Sequence, residues 1–157
     1  MYIKPIDTKQ VHEFLHSDPN LCYLALPDSA LDQLYHTGEW KISDAVGLLG
    51  VFNEEDKVVC FIRYEPYTTV SVYLHMYVTT VLHKTGAIRR IKEILREYLH
   101  KHNPELQRAF FMVPGCCEHV IGACKALGLT QEGELKDCLV WRQKLTDILI
   151  FAEYIYK

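Results

Sequence analysis

The spacing of apolar residues changes at Gly86 from a strand pattern to a helical one. Before it, residues 70–78 are rich in β-branched and aromatic side chains on both faces, as in a central strand covered on both sides. After it, a stripe at helical spacing carries Ile88, Ile91, Ile94, Leu95, Tyr98 and Leu99. The opposite, solvated side of this helix is expected to carry Arg89, Lys92, Glu93 and Arg96. A second short apolar segment, residues 109–113, follows the helix-breaking pair Asn103-Pro104. A strand, a helix and a strand in this order predict a parallel β-α-β crossover, which is right-handed in nearly all proteins.

The rest of the chain predicts mostly antiparallel structure. Before the crossover we expect a strand at 2–6, a helix opened by Asp7 or Thr8, a short helix closed by Gly38, and strands at 46–52 and 58–64. Pro66 is expected to end the last of these strands. After the crossover we expect a helix closed by Gly128 and strands at 129–135 and 147–156, with the pairing in between left open. The fold class is therefore α+β: one domain, residues 1–157, with a mixed, mostly antiparallel sheet and helices on both faces.

Composition excludes several classes of function. A net charge of -3 and a pI near 6.2 argue against a nucleic-acid-binding protein, which usually carries a basic face. No run approaches the roughly 20 apolar residues of a membrane helix, and residues 1–10 lack the apolar core of a secretion signal. The six cysteines form no C-x-x-C pair, so we expect reduced thiols in the cytoplasm. Cys116, Cys117 and His119 are poorly spaced for a metal and have no partner pair, so no metal site is expected.

The segment HKTGAI, residues 83–88, allows two interpretations. A glycine between a strand and a helix can expose backbone N–H groups at the helix N-terminus, and these groups bind anions such as phosphate. Lys84 and Arg89 would add positive charge there. Alternatively, Gly86 is an ordinary turn residue and the basic side chains form a solvated helix face. The local sequence leaves both interpretations open.

Two segments resemble the GCN5-related N-acetyltransferase (GNAT) family, which binds acyl-CoA. MYVTTVLHKTGAI, residues 76–88, resembles the family's strand–loop–helix motif with Gln/Arg-x-x-Gly-x-Gly/Ala, and KALGLTQEGELKD, residues 125–137, resembles its C-terminal motif. Residues 146–155 resemble the last strand of the family. The resemblance implies a GNAT-like fold with acetyl-CoA as cosubstrate and an amine as acceptor. It also implies acyl-CoA contacts from Met76, Val78, His83, Lys84, Thr85, Gly86, Ala87 and Ile88.

The chain departs from the GNAT pattern at four positions. The family's Gln/Arg at the start of the loop is His83 here, and its last Gly/Ala is Ile88. Cys117 stands where many members carry Asn, and Cys124 stands where many carry the Tyr that protonates the leaving thiolate. The Cys124 thiol could donate that proton, although a small apolar core residue is the simpler interpretation. These departures favour the alternative of a GNAT-fold protein that does not turn over acyl-CoA.

An acetyl transfer to an amine needs a base that removes a proton from the acceptor. Among strand residues, His75 alternates on one face with Tyr73 and Tyr77 and is the best base by residue type. Glu65, just before Pro66, is the best carboxylate. The predicted catalytic set is therefore His75, Glu65 and Cys124. The simpler alternative for His75 is a hydrogen-bonded packing residue, which is the more common role of a histidine among tyrosines.

Two functions follow from these observations. The first is a GNAT-type acyltransferase that moves an acetyl group from acetyl-CoA to an amine. The second is a catalytically inactive GNAT-fold protein that binds a protein partner, such as an assembly factor among the small GNAT-like virion-assembly proteins of tailed phages. No nucleic-acid or membrane partner is expected in either case. Fold alone does not decide between them.

Overall fold

The computed structural model describes residues 1–18, 29–39, 43, 46–79, 82, 86–141 and 143–155, without the side chains of 29–32. The helices are α1 (Thr8–Ser17), α2 (Ser29–Thr37), α3 (Ile88–His102) and α4 (Glu118–Ala126). The strands are β1 (Tyr2–Pro5), β2 (Gly47–Phe52), β3 (Val58–Thr68), β4 (Ser71–Val78), β5 (Arg108–Pro114), β6 (Thr130–Trp141) and β7 (Lys144–Tyr154). No helix in the described parts of the chain is long and apolar enough to span a bilayer.

The seven strands form one sheet in the order β1-β2-β3-β4-β5-β7-β6. Every neighbouring pair is antiparallel except β4 and β5, which are parallel and joined through α3. This is the predicted crossover, and it makes β4 the central strand. The predicted α+β class with a mixed, mostly antiparallel sheet is therefore confirmed.

Helices cover the sheet on both faces because alternate residues of each strand point to opposite sides. On one face α3 packs over the cluster that contains Ile62 and Leu74. On the other face α1 and α2 pack over Phe61 and Tyr77. A third cluster joins α4 to β5 and β7 around Phe151, and Phe111 links it to the α3 cluster, so α3 and α4 share a face.

Pro66 does not end β3, contrary to the sequence-based expectation. Strand β3 continues to Thr68, and Pro66 pairs with Val72 of β4. The backbone nitrogen of Pro66 points toward β2, where pairing has already ended at Gly47 and Tyr64. No ladder hydrogen bond is lost at that position, so the proline is tolerated.

The last two strands form a hairpin that is longer than predicted. Its ladder is interrupted by a bulge between Leu135 and Leu139. The carboxylate of Asp147 accepts a hydrogen bond from the backbone N–H of Asp137 at 2.9 Å and one from Lys136 at 3.0 Å. These donors, the Asp137 N–H first, lower the pKa of Asp147. The irregular pairing explains why alternation could not define this region from the sequence.

Candidate functional site

Strands β4 and β5 pair over only three residues and then separate. The parallel register runs from Ser71 with Arg108 to Tyr73 with Phe110. Beyond this point the rest of β4 still pairs with β3 but has no described partner on the β5 side. A cleft therefore opens inside the sheet, with its apex at Tyr73 and Phe110.

The backbone groups that face this cleft follow from the hydrogen bonds around β4. The N–H of Thr79 donates to the carbonyl of Val59 at 3.2 Å, so odd-numbered residues of β4 direct their backbone groups to β3. At the other end, the carbonyl of Val70 accepts from residues 107 and 108 on the β5 side. The N–H and C=O groups of Leu74, Met76 and Val78 consequently point into the cleft.

The walls of the cleft are mostly apolar and come from four elements. Strand β5 contributes Phe111 and Val113, α3 contributes Ile88 and Leu95, α4 contributes Val120, Ala123 and Cys124, and Leu127 lies just after α4. The sheet forms the remaining edge through residues 74–78. An extended ligand could therefore lie along β4 as an added strand while its apolar parts contact the helices.

The N-terminus of α3 lies at the open end of the cleft. Gly86 adopts a left-handed backbone with φ +69, and among the described residues no side-chain hydrogen bond caps the helix at Ala87. Apart from its chain neighbours, no described residue has an atom within 4 Å of the position that a Cβ on Gly86 would take. Uncapped N–H groups at a helix start attract anions. The predicted contacts His83, Lys84 and Thr85 lie outside the described residues.

The predicted basic and acidic residues of the catalytic set meet on the opposite face of the sheet. His75 Nε2 lies 3.8 Å from the nearer carboxylate oxygen of Glu65, which is also ion-paired with Arg63. The side chain of His75 is 12% exposed and that of Glu65 is 31% exposed. Arg63 is opposite His75 in the β3–β4 register, which is why the three side chains share one face. The arrangement gives a histidine next to a carboxylate, close to the apex of the cleft.

Cys124 is on the other face, in the wall of the cleft formed by α4. Burial raises the pKa of its thiol to about 11. A thiol with this pKa is a weak proton donor. Transfer of its proton to the thiolate of an ordinary thiol, whose pKa is near 8.5, would be unfavourable. Cys117 is buried at the start of the same helix, whereas Cys116 is exposed. Within the described residues, no group of three or more His, Cys, Asp or Glu side chains could hold a metal ion.

Lys92 is the residue of the cleft that the sequence misassigned. The helical pattern placed it on the solvated face of α3, yet its ammonium group is 2.6 Å from the Glu153 carboxylate and donates to the Leu127 carbonyl at 2.7 Å. The side chains of Lys92 and Glu153 are only 21% and 14% exposed. Both residues line the cleft. Lys92 thus ties α3 to β7 and to the C-terminal end of α4, where the helix dipole favours a cation.

Replacing Lys92 with methionine is expected to destabilise the protein by about 2 kcal/mol, because Glu153 would keep a charge without its partner in a poorly solvated site. The double variant Lys92→Met with Glu153→Leu should recover part of this loss. Arg90→Met is the matched control, since its ion pair with Glu93 on the same helix is about half exposed and should contribute less than about 0.5 kcal/mol. Urea unfolding measures the wild type, Lys92→Met, Glu153→Leu alone, the double variant and Arg90→Met. Strictly additive effects of the two cleft substitutions would contradict the coupling.

Comparison with known proteins gives matches only at the level of structure. No protein-family model and no curated protein sequence matches this chain. A chimera of the spermidine N-acetyltransferase SpeG from Vibrio cholerae and hSSAT aligns with a TM-score of 0.75 and 13% identity, over 99% of this chain and 97% of that one. The protein smu.2055 from Streptococcus mutans aligns with a TM-score of 0.70 and 20% identity, over 99% and 100%. A structure assigned as a phosphinothricin N-acetyltransferase aligns with a TM-score of 0.72 and 10% identity, over 99% and 98%.

These similarities cover nearly the whole chain but lie at 20% identity or below, so they show the fold alone. The neighbours named above include structures that are named as N-acetyltransferases. The predicted GNAT-like fold is confirmed: the chain is a divergent protein with the GNAT fold.

Proposed function

We propose that this GNAT-fold chain transfers an acetyl group from acetyl-CoA to a primary amine. The observation that carries the proposal is the separation of β4 from β5 after Tyr73 and Phe110. It leaves a row of backbone hydrogen-bonding groups facing an apolar cleft that ends at an uncapped helix N-terminus. A long ligand with an amide-containing arm and a pyrophosphate matches those three parts in order.

Two groups of residues would hold acetyl-CoA in the cleft. Met76 and Val78 would hydrogen-bond the pantetheine amides through their backbones, and Gly86, Ala87 and Ile88 would direct N–H groups at the pyrophosphate. His83, Lys84 and Thr85 complete the proposed loop on the strength of the sequence motif. The role of these groups is to hold the thioester near the apex of the cleft, so that binding energy is converted into orientation.

Proton transfer would use the face of β4 opposite the helices α3 and α4. We propose that His75 Nε2 takes the proton of the acceptor ammonium, and that Glu65, 3.8 Å away, stabilises the protonated imidazole. The freed amine attacks the acetyl carbon, the carbon–sulfur bond breaks, CoA leaves as a thiolate, and the nitrogen releases its second proton to solvent to become the amide. With the pKa of Cys124 raised to about 11, this thiol is a poor proton donor, so CoA would leave as the thiolate without a proton from Cys124.

The direct test is release of the CoA thiol, followed with a thiol reagent after protein, acetyl-CoA and a set of primary amines are mixed. We expect release that depends on both the protein and an amine, with the acetylated amine detected by mass spectrometry. Omitting the amine provides the control for simple hydrolysis. Failure of every amine together with failure to bind acetyl-CoA would reject the proposal.

A catalytically inactive GNAT-fold protein is the second candidate, and two observations favour it. Ile88, where the family carries a small residue, adds bulk to the cleft near the start of α3. Cys124 is a weak acid in place of the family's Tyr. A chain of this kind would bind acetyl-CoA or a protein partner without releasing thiol. A stable complex with a partner that persists in a Gly86→Trp protein, with no thiol release, would decide for this candidate.

A further inference from the structure

Four rings form a continuous strip on the face of the sheet that carries His75 and Glu65. The centroids of His75 and Tyr73 are 4.1 Å apart, those of Tyr73 and Phe110 are 5.2 Å apart and stacked, and those of Phe110 and Tyr67 are 5.2 Å apart and nearly perpendicular. We call these four residues the ring strip. Tyr73 and Phe110 are also the last pair of the parallel ladder, so the ring strip begins where the strands separate.

The ring strip is accessible at its outer end and packed at its inner end. Tyr67 is 73% exposed, whereas the side chain of His75 is 12% exposed. A flat apolar group could therefore stack on the outer rings while an attached amine reaches His75. Ring faces also attract an ammonium group, since their quadrupole presents negative potential to a cation.

In the part of the chain that the structure describes, the carboxylates beside the ring strip are ion-paired with arginines. Glu65 is ion-paired with Arg63, and Glu132 is ion-paired with Arg108, which precedes Phe110 by two positions on β5. Two acidic and two basic groups give these four residues a formal charge of zero. A ligand with several ammonium groups would lose hydration here without gaining unpaired carboxylates.

We propose that the acceptor is a primary amine carried on an aromatic or flat apolar group through a short linker, and not a polyamine. This inference rests on the proposed function, because the ring strip becomes an acceptor site only if the cleft holds an acyl-CoA. The ring of the acceptor stacks on Tyr67 and Phe110, and its amine lies next to His75 and Glu65. The class differs from the spermidine named for some structures of the same fold.

The test compares 2-phenylethylamine with spermidine as ligands and as acceptors. Calorimetry in the presence and absence of CoA should give a Kd for 2-phenylethylamine at least about tenfold below that for spermidine at 0.1 M salt. Equal or tighter binding of spermidine would overturn the inference, and so would binding of neither amine. A separate titration with acetyl-CoA tests the proposed function, which fails if acetyl-CoA does not bind. Acetyl transfer to spermidine but not to 2-phenylethylamine would overturn this inference and leave the proposed function intact.

Tyr67→Ala is the variant that isolates the ring strip. Loss of one stacking partner should raise the Kd of 2-phenylethylamine about fivefold and leave acetyl-CoA binding unchanged. Tyr2→Ala is the control, because Tyr2 is also an exposed tyrosine with a ring partner, Phe52, at 5.2 Å, but lies on the distant edge strand. Tyr67→Phe should bind like the wild type. An unchanged Kd in Tyr67→Ala would contradict the assignment.

Discussion

Replacing Gly86 with tryptophan is expected to abolish the stabilisation that acetyl-CoA gives the native protein. At a concentration of 100 times its Kd, a ligand selective for the native state adds about 2.7 kcal/mol to the free energy of unfolding. For a chain of this size the Tm would rise by about 5 to 10 °C. Because no described residue beyond its chain neighbours lies within 4 Å of a Cβ at Gly86, the indole would occupy the approach to the N-terminus of α3. Differential scanning fluorimetry with and without acetyl-CoA measures the effect.

Gly38→Trp is the matched control for this experiment. Gly38 also has a left-handed backbone, with φ +72 against +69 for Gly86, and both residues are exposed. Tryptophan at either position carries the same backbone strain of about 1–2 kcal/mol. A difference between the variants in the Tm shift caused by acetyl-CoA therefore comes from the position of Gly86 at the proposed binding site. Gly38 closes α2 on the opposite face of the sheet, and its variant should keep the full shift. A Gly86→Trp protein that keeps the full shift would show that the pyrophosphate lies elsewhere.

Replacing His75 with glutamine is expected to lower kcat/KM for acetyl transfer by about 100-fold or more, the usual contribution of a general base. The stabilisation by acetyl-CoA should remain, since His75 faces away from α3 and α4. Steady-state rates and the thermal shift together separate a chemical effect from a binding one.

Glu65→Gln tests whether the two groups act as a unit. The separation of 3.8 Å between His75 Nε2 and Glu65 predicts that the double variant is little slower than His75→Gln alone. Glu134→Gln is the control, because this glutamate is also ion-paired and about as exposed, at 38% against 31%. Independent, multiplying losses in the double variant would show that Glu65 acts separately from His75.

The alternation and helical period of the chain predicted most elements because they depend on local burial. The change of period at Gly86 predicted the crossover, and the stripe on α3 predicted the buried Ile91, Leu95 and Leu99. Asp7 was a predicted cap, and its side chain accepts from the backbone of Gln10. Such features depend on neighbours a few residues away, which are visible in a sequence.

The failures share one physical reason, which is dependence on partners far along the chain. Pro66 was expected to end a strand, but whether a proline breaks a ladder depends on where β2 stops pairing. Lys92 follows the charged side of a helical wheel, yet its partners are 35 and 61 positions away in sequence, at Leu127 and Glu153.

The sequence by itself determined the α+β class, the order of the elements and the residue types that could serve as bases and phosphate ligands. Only the tertiary structure decided that β4 and β5 separate after three pairs, that Leu74, Met76 and Val78 face the resulting cleft, and that His75 and Glu65 meet behind its apex. The periodicity of apolar residues can be read from one segment of the sequence, whereas this cleft exists because two segments, β4 and β5, stop pairing. The length of a strand pairing depends on the side chains packed above and below it, and no single segment encodes it.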